Sequence, residues 1–569
     1  MATKSILINF NGCPSTIDSL MPDNGLANLA GSLLEEGHGT VIMDFSTVDV
    51  FRRMIPDEIS KELSIIYEES IANIQSGNKS DKSIIGRLLE LDRELENHKK
   101  LELNKIAYEI IDIATQIGTD FIGFKLWTGE GFTGSLIIAK IIKDKLPDVK
   151  LFAGGPHIDW FMERVFDYTD VFDVLAYGEG EETIKLLAEY SEGKRYLSDI
   201  PNIIYQNDGR INTTKLKRIS DLNSLPDPVY DESVYLAMKD DQKINFVMID
   251  ESRGCPNSCN FCIHPQKSGK KWRKRDPLQT VDLMVKLGKQ LNTYGFRLAG
   301  SNTPTNLRKE IAQEILRQGL NMVWTGFGHV KGGEDYELLK TSGCLALAFG
   351  VESGSQTILN QSVNKKVKVD DIVSAITKCK NAGISTIAST IVPCPYDTEE
   401  TIRETLELLI RAKPDSVTLQ LPGLIPGSDW YKKRDEFGFE LNDDYMIKAM
   451  IYKIKLLLPP ILWDPLPYRM NGRDHPQMMA LAQGVSIELE KNGVLTGCND
   501  FLALIGKLMG ISLKEMRDIN RRMFFINDYK QIKSMIKSFN AHVKYVSVLG
   551  VGGTIEPESS YNRNRGGSP

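Results

Sequence analysis

Two successive series of apolar runs, each alternating with amphipathic stretches, limit the folds open to this chain of 569 residues. The first series has strand-like runs at 6–10, 41–45, 121–126, 151–153 and 171–177. Such alternation predicts βαβ units around a parallel sheet. We therefore expect an α/β fold whose first domain, 1–198, is doubly wound and Rossmann-like, with a charged helical insertion at about 50–116.

The second series supplies six strand-like runs, at 245–249, 296–300, 322–327, 345–351, 384–392 and 416–421. A helical stretch follows each run, which predicts a partial (βα)6, TIM-like barrel over 241–430. A Pro-rich linker is expected before it, at 199–240. Helical spacing predicts a helical C-terminal domain at 431–555, and the polar, Gly-rich residues 556–569 predict a disordered tail.

The composition is that of a globular protein, with 41% hydrophobic and 25% charged residues. The 69 basic and 75 acidic residues give a net charge of -6, so no nucleic-acid partner is expected. No apolar stretch has the length of a membrane span, and none is predicted. Eight Cys residues, only three of them clustered, indicate a reducing cytoplasm rather than a disulfide framework. Buried or partly buried thiols are expected at the other five, Cys13, Cys344, Cys379, Cys394 and Cys498.

The clustered cysteines, Cys255, Cys259 and Cys262, form a C-x-x-x-C-x-x-C run after the first predicted barrel strand, where barrel enzymes place active residues. Soft thiolates select zinc, copper(I) or iron–sulfur clusters. A structural zinc site is closed and four-coordinate, and the spacing of His264 makes it an awkward fourth ligand. Because a [4Fe–4S] cluster usually takes four Cys, three predict a cluster with one iron open to a substrate or cofactor.

Gly-rich loops follow the strands of the first series, where ligands of a doubly wound sheet bind. Glycine lets a bulky ligand approach the backbone closely. No G-x-G-x-x-G follows the first strand and no G-x-x-x-x-G-K-[ST] occurs, so a dinucleotide or phosphate site is disfavoured. The residues expected to line a cofactor crevice are Asn11, Trp127, Thr128, Gly129, Gly154, Gly155, His157, Gly178, Glu179 and Gly180.

The cysteine spacing resembles that of the radical S-adenosylmethionine (SAM) superfamily, in which the open iron binds and cleaves SAM. Gly-Gly-Pro-His at 154–157 and Tyr-Gly-Glu-Gly-Glu-Glu-Thr at 177–183 resemble the cobalamin-binding domain that precedes many radical SAM cores. The resemblance implies three cofactors: a [4Fe–4S] cluster, SAM and cobalamin. It also implies SAM contacts at the ends of the second and fourth barrel strands, from Ser301, Asn302, Glu352 and Ser353.

Some features depart from the family pattern or admit a simpler interpretation. The Asp-x-His-x-x-Gly signature that gives cobalt a lower histidine ligand in other cobalamin enzymes is absent, so cobalt is expected to lack one. His157 is then expected to be a polar wall of the crevice or a hydrogen bonder in it. Thr390 and Cys394 stand where the superfamily often has Gly. A salt bridge at the barrel mouth is the alternative for Glu352. The basic run 267–275 is expected to be a solvated face or an anion contact.

This domain order implies a methyltransferase that passes a methyl group through methylcobalamin to an unactivated carbon of a natural product, a peptide or another small substrate. An electron donor such as flavodoxin or ferredoxin is the implied partner. The cofactors carry this chemistry and no general base is needed, so no catalytic side chain is assigned. A cyclase or rearrangement enzyme without net methyl transfer, and a non-catalytic cobalamin or iron–sulfur sensor, stay open. Methylthiolation of RNA is disfavoured, because the N-terminal third has only Cys13.

Overall fold

The computed structural model describes residues 2–75, 82–455, 457–458 and 462–544. The tail predicted at 556–569 lies outside these ranges. No helix within them combines the length and the apolar character that crossing a bilayer requires.

Seven strands form the N-terminal sheet: β1 Lys4–Asn9, β2 Gly39–Asp44, β3 Phe121–Lys125, β4 Lys150–Gly154, β5 Val174–Ala176, β6 Ile203–Asn207 and β7 Arg210–Thr213. Their order is β2-β1-β3-β4-β5-β6-β7. The first five are parallel, whereas β6 and β7 are antiparallel. Because the order reverses between β1 and β3, the carboxyl ends of this pair form the topological switch point.

Helices cover both faces of this sheet: α1 Asn24–Glu35, α2 Val48–Met54, α3 Asp57–Gln75, α4 Lys82–Ile117, α5 Glu130–Lys145, α6 Pro156–Phe161 and α7 Glu181–Ser191. Alternate side chains of β1 serve opposite faces, as strand geometry requires. Leu7 belongs to the core beneath α1 and α7, whereas Ile6 and Ile8 belong to the core beneath α4 and α5. The predicted doubly wound arrangement is therefore present.

The predicted insertion at 50–116 is helical, but it is not a separate unit. Ile106 and Ile110 of α4 are fully buried in the same core as Ile8. The carboxyl half of α4 is thus the crossover helix between β2 and β3. Its amphipathic pattern reflects packing on the sheet rather than on a partner helix alone.

The stretch 199–240 differs from the predicted linker, because it extends the N-terminal sheet. β6 and β7 form a hairpin whose two-residue turn, Asp208 (φ 49°) and Gly209 (φ 72°), lies in the left-handed region. Asp-Gly is a strong signal for such a turn, which the sequence reading missed. Further along, the amide of Ile42 in β2 donates to the carbonyl of Val234 at 2.7 Å.

Eight strands follow: β8 Val247–Ile249, β9 Ser252–Arg253, β10 Arg273–Lys274, β11 Gly295–Leu298, β12 Val323–Gly328, β13 Cys344–Glu352, β14 Ser385–Ile391 and β15 Ser416–Gln420. All except β9 and β10 form one parallel sheet in the sequential order β15-β14-β13-β12-β11-β8. This is the strand order of the predicted (βα)6 partial barrel. The helices of this region are α8 His264–Lys267, α9 Pro277–Leu291, α10 Thr305–Arg317, α11 Tyr336–Thr341, α12 Gln356–Ile358, α13 Val369–Asn381 and α14 Glu399–Ala412.

The short strands β9 and β10 pair antiparallel, with Arg253 opposite Arg273. They close the base of residues 254–272, which we call the cysteine loop. Gly254 (φ 95°) begins this loop, and a Cβ there would lie 2.2 Å from the carbonyl oxygen of Lys271. Only glycine therefore fits at this position.

The C-terminal region mixes helices with a small sheet: α15 Asp429–Lys432, β16 Phe439–Leu441, α16 Tyr445–Met450, β17 Tyr468–Met470, β18 Arg473–Asp474, α17 His475–Lys491, α18 Asp500–Met509, α19 Leu513–Phe525 and α20 Tyr529–His542. The purely helical prediction is corrected by the antiparallel strands β16 to β18. Their last hairpin turns at Asn471 (φ 50°) and Gly472 (φ 75°), an Asn-Gly signal that the sequence reading missed.

The helix α18 ties the C-terminal region to the barrel. It packs on β12, β13 and β14, and Asp500 in its first turn accepts hydrogen bonds from Thr325 at 2.6 Å and from Arg297 at 3.2 Å. The ring of Phe524 in α19 lies 5.3 Å from that of Phe51 in α2. The C-terminal helices thus join the barrel to the N-terminal domain.

Candidate functional site

The three predicted metal ligands lie on the cysteine loop as free, half-buried thiols. The amide of Cys255 donates to the carbonyl of Gly269, and the amide of Cys262 to that of Cys259, both at 3.0 Å. Burial raises the pKa of Cys259 to about 12 and that of Cys262 to about 11, and the negative charges of the neighbouring thiolates contribute to both shifts. A metal must supply the positive charge that makes such thiols ionise.

The chemistry of the donor set fits a cluster better than a zinc ion. No group of three or more His, Cys, Asp and Glu side chains in the described ranges is arranged to hold a single metal ion. His264 is exposed and lines a cavity beside Lys267 and Asp159. The ligand sulfurs of a [4Fe–4S] cluster bind different irons, so they do not converge on one point.

The loop after β11 lies beside the cysteine loop, and Asn302 in it contacts a sulfur. Its Nδ2 lies 3.4 Å from Sγ of Cys255, and its carbonyl accepts a hydrogen bond from Nε1 of Trp272 at 2.8 Å. Hydrogen bonds to cluster sulfurs are one of the ways in which a protein sets a cluster's potential. Ser301 lines the cavity on the same loop.

A residue that the sequence reading missed holds this loop in place. Glu251 is fully buried and accepts hydrogen bonds from the amide of Gly300 at 3.1 Å and from the hydroxyl of Thr303 at 2.5 Å. Burial raises the pKa of its carboxyl. A Cβ at Gly300 would lie 2.2 Å from Oε1 of Glu251. The only available signal was an acidic residue immediately after a buried strand.

At the end of β13, Glu352 adopts a left-handed conformation (φ 65°) and is buried. Its Oε1 lies 2.9 Å from Nζ of Lys365, so the salt-bridge alternative describes the position observed. The hydroxyl of Ser353 lies 3.2 Å from that of Thr405 in α14 and accepts from the amide of Ser355 at 3.1 Å. Ser353 therefore ties the loop to α14.

Two residues that replace family glycines are buried inside the barrel wall. Thr390 is fully buried, with its hydroxyl 3.5 Å from the carbonyl of Thr418. The thiol of Cys394 is fully buried, and its burial together with the charge of Asp397 raises its pKa well above the usual range. Both side chains fill space that glycine would leave open.

A cavity of about 370 Å³ separates the N-terminal domain from the barrel. It runs from the carboxyl ends of β3, β4 and β5 down between the sheet and helices α1 and α7, where Leu7, Phe152 and Ile184 line it. Gly254 and Ser301 line its barrel side. Of the residues predicted for a cofactor crevice, it is lined by Gly154, Gly155, Gly178, Glu179 and Gly180.

The other predicted crevice residues lie at the switch point, away from this cavity. Oδ1 of Asn11 accepts from the hydroxyl of Ser46 at 2.6 Å, and Nε1 of Trp127 donates to Oδ1 of Asn9 at 2.9 Å. The amide of Gly129 donates to the carbonyl of Met450 at 3.0 Å. Thr128 does not line the cavity either. The C-terminal region covers these loops, and no local pattern in the N-terminal third announces that cover.

The predicted role of His157 as a polar wall is wrong in this structure. Its ring is fully buried, stacked on Phe132 at 4.0 Å and tilted against Phe161 at 4.8 Å. Neither ring nitrogen has a hydrogen-bond partner in the described part of the chain. Burial lowers its pKa to about 3, so the imidazole is neutral. The Pro at the start of α6 turns this side chain into the core beneath α5.

A group of buried polar residues at the switch point was also missed. Glu130 accepts hydrogen bonds from the amide of Cys13 at 3.0 Å and from Nζ of Lys99 at 2.7 Å, and Nζ of Lys453 lies 3.5 Å away. Burial opposes ionisation of Glu130, but Lys99 and Lys453 prevail and lower its pKa to about 2. Cys13 is half-buried and Cys344, Cys379, Cys394 and Cys498 are buried, so the prediction of buried or partly buried thiols is confirmed.

The chain is similar to several known proteins. The sequence model of the radical SAM superfamily matches residues 251–409. Over 325 residues the chain is 25% identical to an uncharacterised methyltransferase of Pyrococcus horikoshii, covering 56% of this chain and 70% of that protein. Over 322 residues it is 29% identical to the anaerobic magnesium-protoporphyrin IX monomethyl ester cyclase of Rubrivivax gelatinosus, covering 53% and 57%.

Among solved structures, the fold matches that of the radical SAM methyltransferase TsrM from Kitasatospora setae, determined with cobalamin and a [4Fe–4S] cluster bound. The TM-score is 0.59 at 14% identity, over 94% of this chain and 100% of that chain. Residues 251–409 therefore form a radical SAM domain. The resemblance to cobalamin-dependent radical SAM enzymes that the sequence predicts is confirmed. The chain spans just over half the length of its cyclase relative.

Proposed function

We propose that this protein is a cobalamin-dependent radical SAM methyltransferase that methylates an unactivated carbon of a peptide, a natural product or another small substrate. One observation carries the proposal: a single cavity is lined on one side by the glycine loops after β4 and β5, and on the other by the start of the cysteine loop and the loop after β11. Ligands held by the two domains would therefore face each other.

The residues present fit the cofactors of such an enzyme. Cys255, Cys259 and Cys262 supply three thiolates for a cluster, and Asn302 donates a hydrogen bond to one of the sulfurs. Gly154, Gly155 and Gly178 give a flat cofactor access to the backbone. When bound, the cluster and SAM supply radical chemistry and cobalamin supplies a methyl carrier.

The protein's own residues position these groups and exclude water. Glu251 fixes the loop after β11 through the amide of Gly300, which holds Asn302 against Cys255. The apolar residues Leu7, Phe152 and Ile184 line the depth of the cavity, so a ligand there leaves water. The cluster requires a reductant, and we propose flavodoxin or ferredoxin for this role.

The experiment compares two products of SAM in the reconstituted enzyme, under strict anaerobic conditions with a strong reductant and a trideuteromethyl donor. A methyltransferase needs one SAM as methyl donor and a second as radical source. We expect S-adenosylhomocysteine that depends on added cobalamin, 5′-deoxyadenosine that depends on the cluster, and a substrate product heavier by three deuterium labels.

The outcomes separate the alternatives. The cyclase relative keeps cyclisation open as a second function, and it would give product and 5′-deoxyadenosine without S-adenosylhomocysteine. A sensor would give neither SAM product. Either result contradicts the proposal.

A further inference from the structure

The cysteine loop is joined to the N-terminal domain by four ion pairs, and in each of them the cation belongs to the loop or its base and the anion to the N-terminal domain. The cationic partners are Arg253, Lys267 and Arg273, which belong to the cysteine loop or to the strands at its base. The anionic partners belong to the N-terminal domain, on or beside the loops that follow β4 and β5: Asp159, Glu179 and Glu181. These two sets of side chains meet at the rim of the cavity.

The pair between Glu179 and Arg273 is bidentate and nearly enclosed. Nη1 of Arg273 donates to Oε2 at 2.8 Å and Nη2 donates to Oε1 at 2.5 Å. The carboxylate also accepts from the amide of Ile219 at 2.8 Å, and its side chain is only 5% exposed. Planar two-point pairing of this kind fixes orientation as well as distance.

The pair between Glu181 and Arg253 repeats the arrangement two residues along. Nη1 of Arg253 donates to Oε2 at 3.2 Å, and Nη2 binds the other oxygen. Asp250 accepts from the same guanidinium at 2.8 Å. Burial alone would lower the pKa of Arg253, but Asp250, Glu181 and Glu179 raise it well above the usual range.

Both arginines hold the base of the cysteine loop, because they face each other across β9 and β10. Both glutamates flank Gly180, in the loop whose Gly178 lines the cavity. The contacts therefore form a short rigid path from the cavity wall to the cysteines. Glu179 therefore pairs with Arg273 as well as lining the cavity. In the basic run at 267–275, Lys267 and Arg273 form ion pairs, whereas Lys270, Lys271 and Lys274 are exposed as predicted for a solvated face.

We propose that Glu179 and Glu181 are positioning residues that hold the cysteine loop at a fixed distance and orientation from the cavity loops after β4 and β5. This inference rests on the proposed function, because only a reaction between cofactors of both domains demands such a fixed geometry. Buried ion pairs contribute little net stability, since desolvation offsets their attraction. Their contribution here is geometric.

The experiment uses the loaded enzyme and the Glu179→Gln/Glu181→Gln double variant, which keeps the shape of both side chains but removes their charges and replaces one acceptor oxygen of each by an NH2 donor. The control is Glu182→Gln, a neighbouring residue whose exposed ion pair with Lys217 stays within the N-terminal domain. The first measurement is the magnetic interaction between cob(II)alamin and the reduced cluster, read by paramagnetic resonance. The second is hydrogen exchange of residues 254–272 in the enzyme without cofactors.

We expect the double variant to weaken the magnetic interaction and to speed exchange in the cysteine loop. We also expect the ratio of 5′-deoxyadenosine to methylated product to rise about tenfold or more, because displacements near 1 Å are that costly to reactions between positioned groups. The control should match the unmodified enzyme. An unchanged magnetic interaction and unchanged coupling in the double variant would overturn the proposal.

A charge exchange, Glu179→Arg with Arg273→Glu, separates positioning from direct contact with a cofactor. If the pair only positions, the exchanged variant should regain most of the interaction and coupling that Glu179→Arg alone loses. Lost coupling with an unchanged magnetic interaction in Glu179→Arg alone would indicate direct contact with a cofactor and would overturn the inference. If the unmodified enzyme transfers no methyl group, the proposed function fails, yet the magnetic and exchange measurements still decide whether the ion pairs hold the cysteine loop.

Discussion

Two pairs of glycine-containing loops lie at the carboxyl edge of the N-terminal sheet. One pair faces the cavity, and other parts of the chain cover the second pair. The loops after β4 and β5 face the cavity with Gly154, Gly155 and Gly178. Those after β1 and β3 are equally rich in glycine, but α4 and the segment at 450–455 cover them. A glycine after a strand thus permits close approach by a ligand or by another part of the chain. The partner is decided by tertiary structure.

The largest effect is expected from removing the cluster ligands, which tests the cysteine loop separately from the cavity loops after β4 and β5. Changing Cys255, Cys259 and Cys262 together to Ala should abolish cluster absorption and SAM cleavage, because no other described side chains complete a metal site. Cobalamin binding should persist, since the cavity loops after β4 and β5 are untouched. Absorption spectroscopy and binding titration check the two halves separately. SAM cleavage by the triple variant would contradict the cluster assignment.

The loops that face the cavity are tested by filling the cavity at Gly154. A Cβ there meets nothing closer than 3.4 Å and the position needs no positive φ, so Gly154→Val should fold normally. Its methyl groups would enter the cavity, and overpacking of about 3 kcal/mol corresponds to about a hundredfold weaker cobalamin binding. Binding titrations measure the affinity, with thermal unfolding of the apo variant as the control. Undiminished affinity would place cobalamin elsewhere.

The covered loop after β3 is tested at Gly129, where the stability of the protein rather than its affinity for cobalamin should change. This residue has φ 67°, and a Cβ would lie 2.3 Å from the carbonyl oxygen of Tyr452. Gly129→Ala should therefore lower the free energy of unfolding by about 2 to 3 kcal/mol. The matched control is Gly193→Ala, which has φ 74° with nothing within 4 Å of the Cβ and should lose only about 1 kcal/mol. Equal losses in the two variants would remove the evidence for a tight cover.

Local pattern predicted most of the fold and part of the site, and the limits have physical reasons. Periodicity located the strands of both sheets, because a buried parallel strand needs a continuous apolar run. The hairpins at Asp208-Gly209 and Asn471-Gly472 were missed although their turn residues were visible, since their strands are short and half-exposed.

The predictions for the site divide in the same way, into residues whose role depends on local spacing and residues whose role depends on distant partners. The three cysteines were found because their function depends on spacing within one loop. The roles of Glu179, Glu251 and Glu130 were not found, because each depends on a partner at least 49 residues away in the sequence. These partners are Arg273, Gly300 and Cys13 respectively. Glu179 has a second partner, the amide of Ile219, which is nearer. A single sequence contains no record of such pairings. His157 was misplaced for the same reason, since Phe132 reaches it from another helix.

The smallest expected effect comes from His157, which adjoins the open loop at Gly155 but points into the core. Its pKa is lowered by burial to about 3 in the folded protein, against about 6.5 in an unfolded chain. Below pH 6.5 the unfolded state therefore binds a proton that the folded state does not, so stability falls as pH falls. At pH 5 the free energy of unfolding is therefore about 2 kcal/mol lower than at pH 8.

His157→Phe keeps an aromatic ring against Phe132 and removes the titrating group. It should therefore abolish this part of the pH dependence and raise the unfolding temperature more at pH 5 than at pH 8. Thermal unfolding of both proteins at the two pH values measures the difference, with His542→Phe, an exposed position, as the control. The same pH dependence in His157→Phe and in the unmodified protein would show that the imidazole reaches water or a ligand, and would return His157 to the crevice.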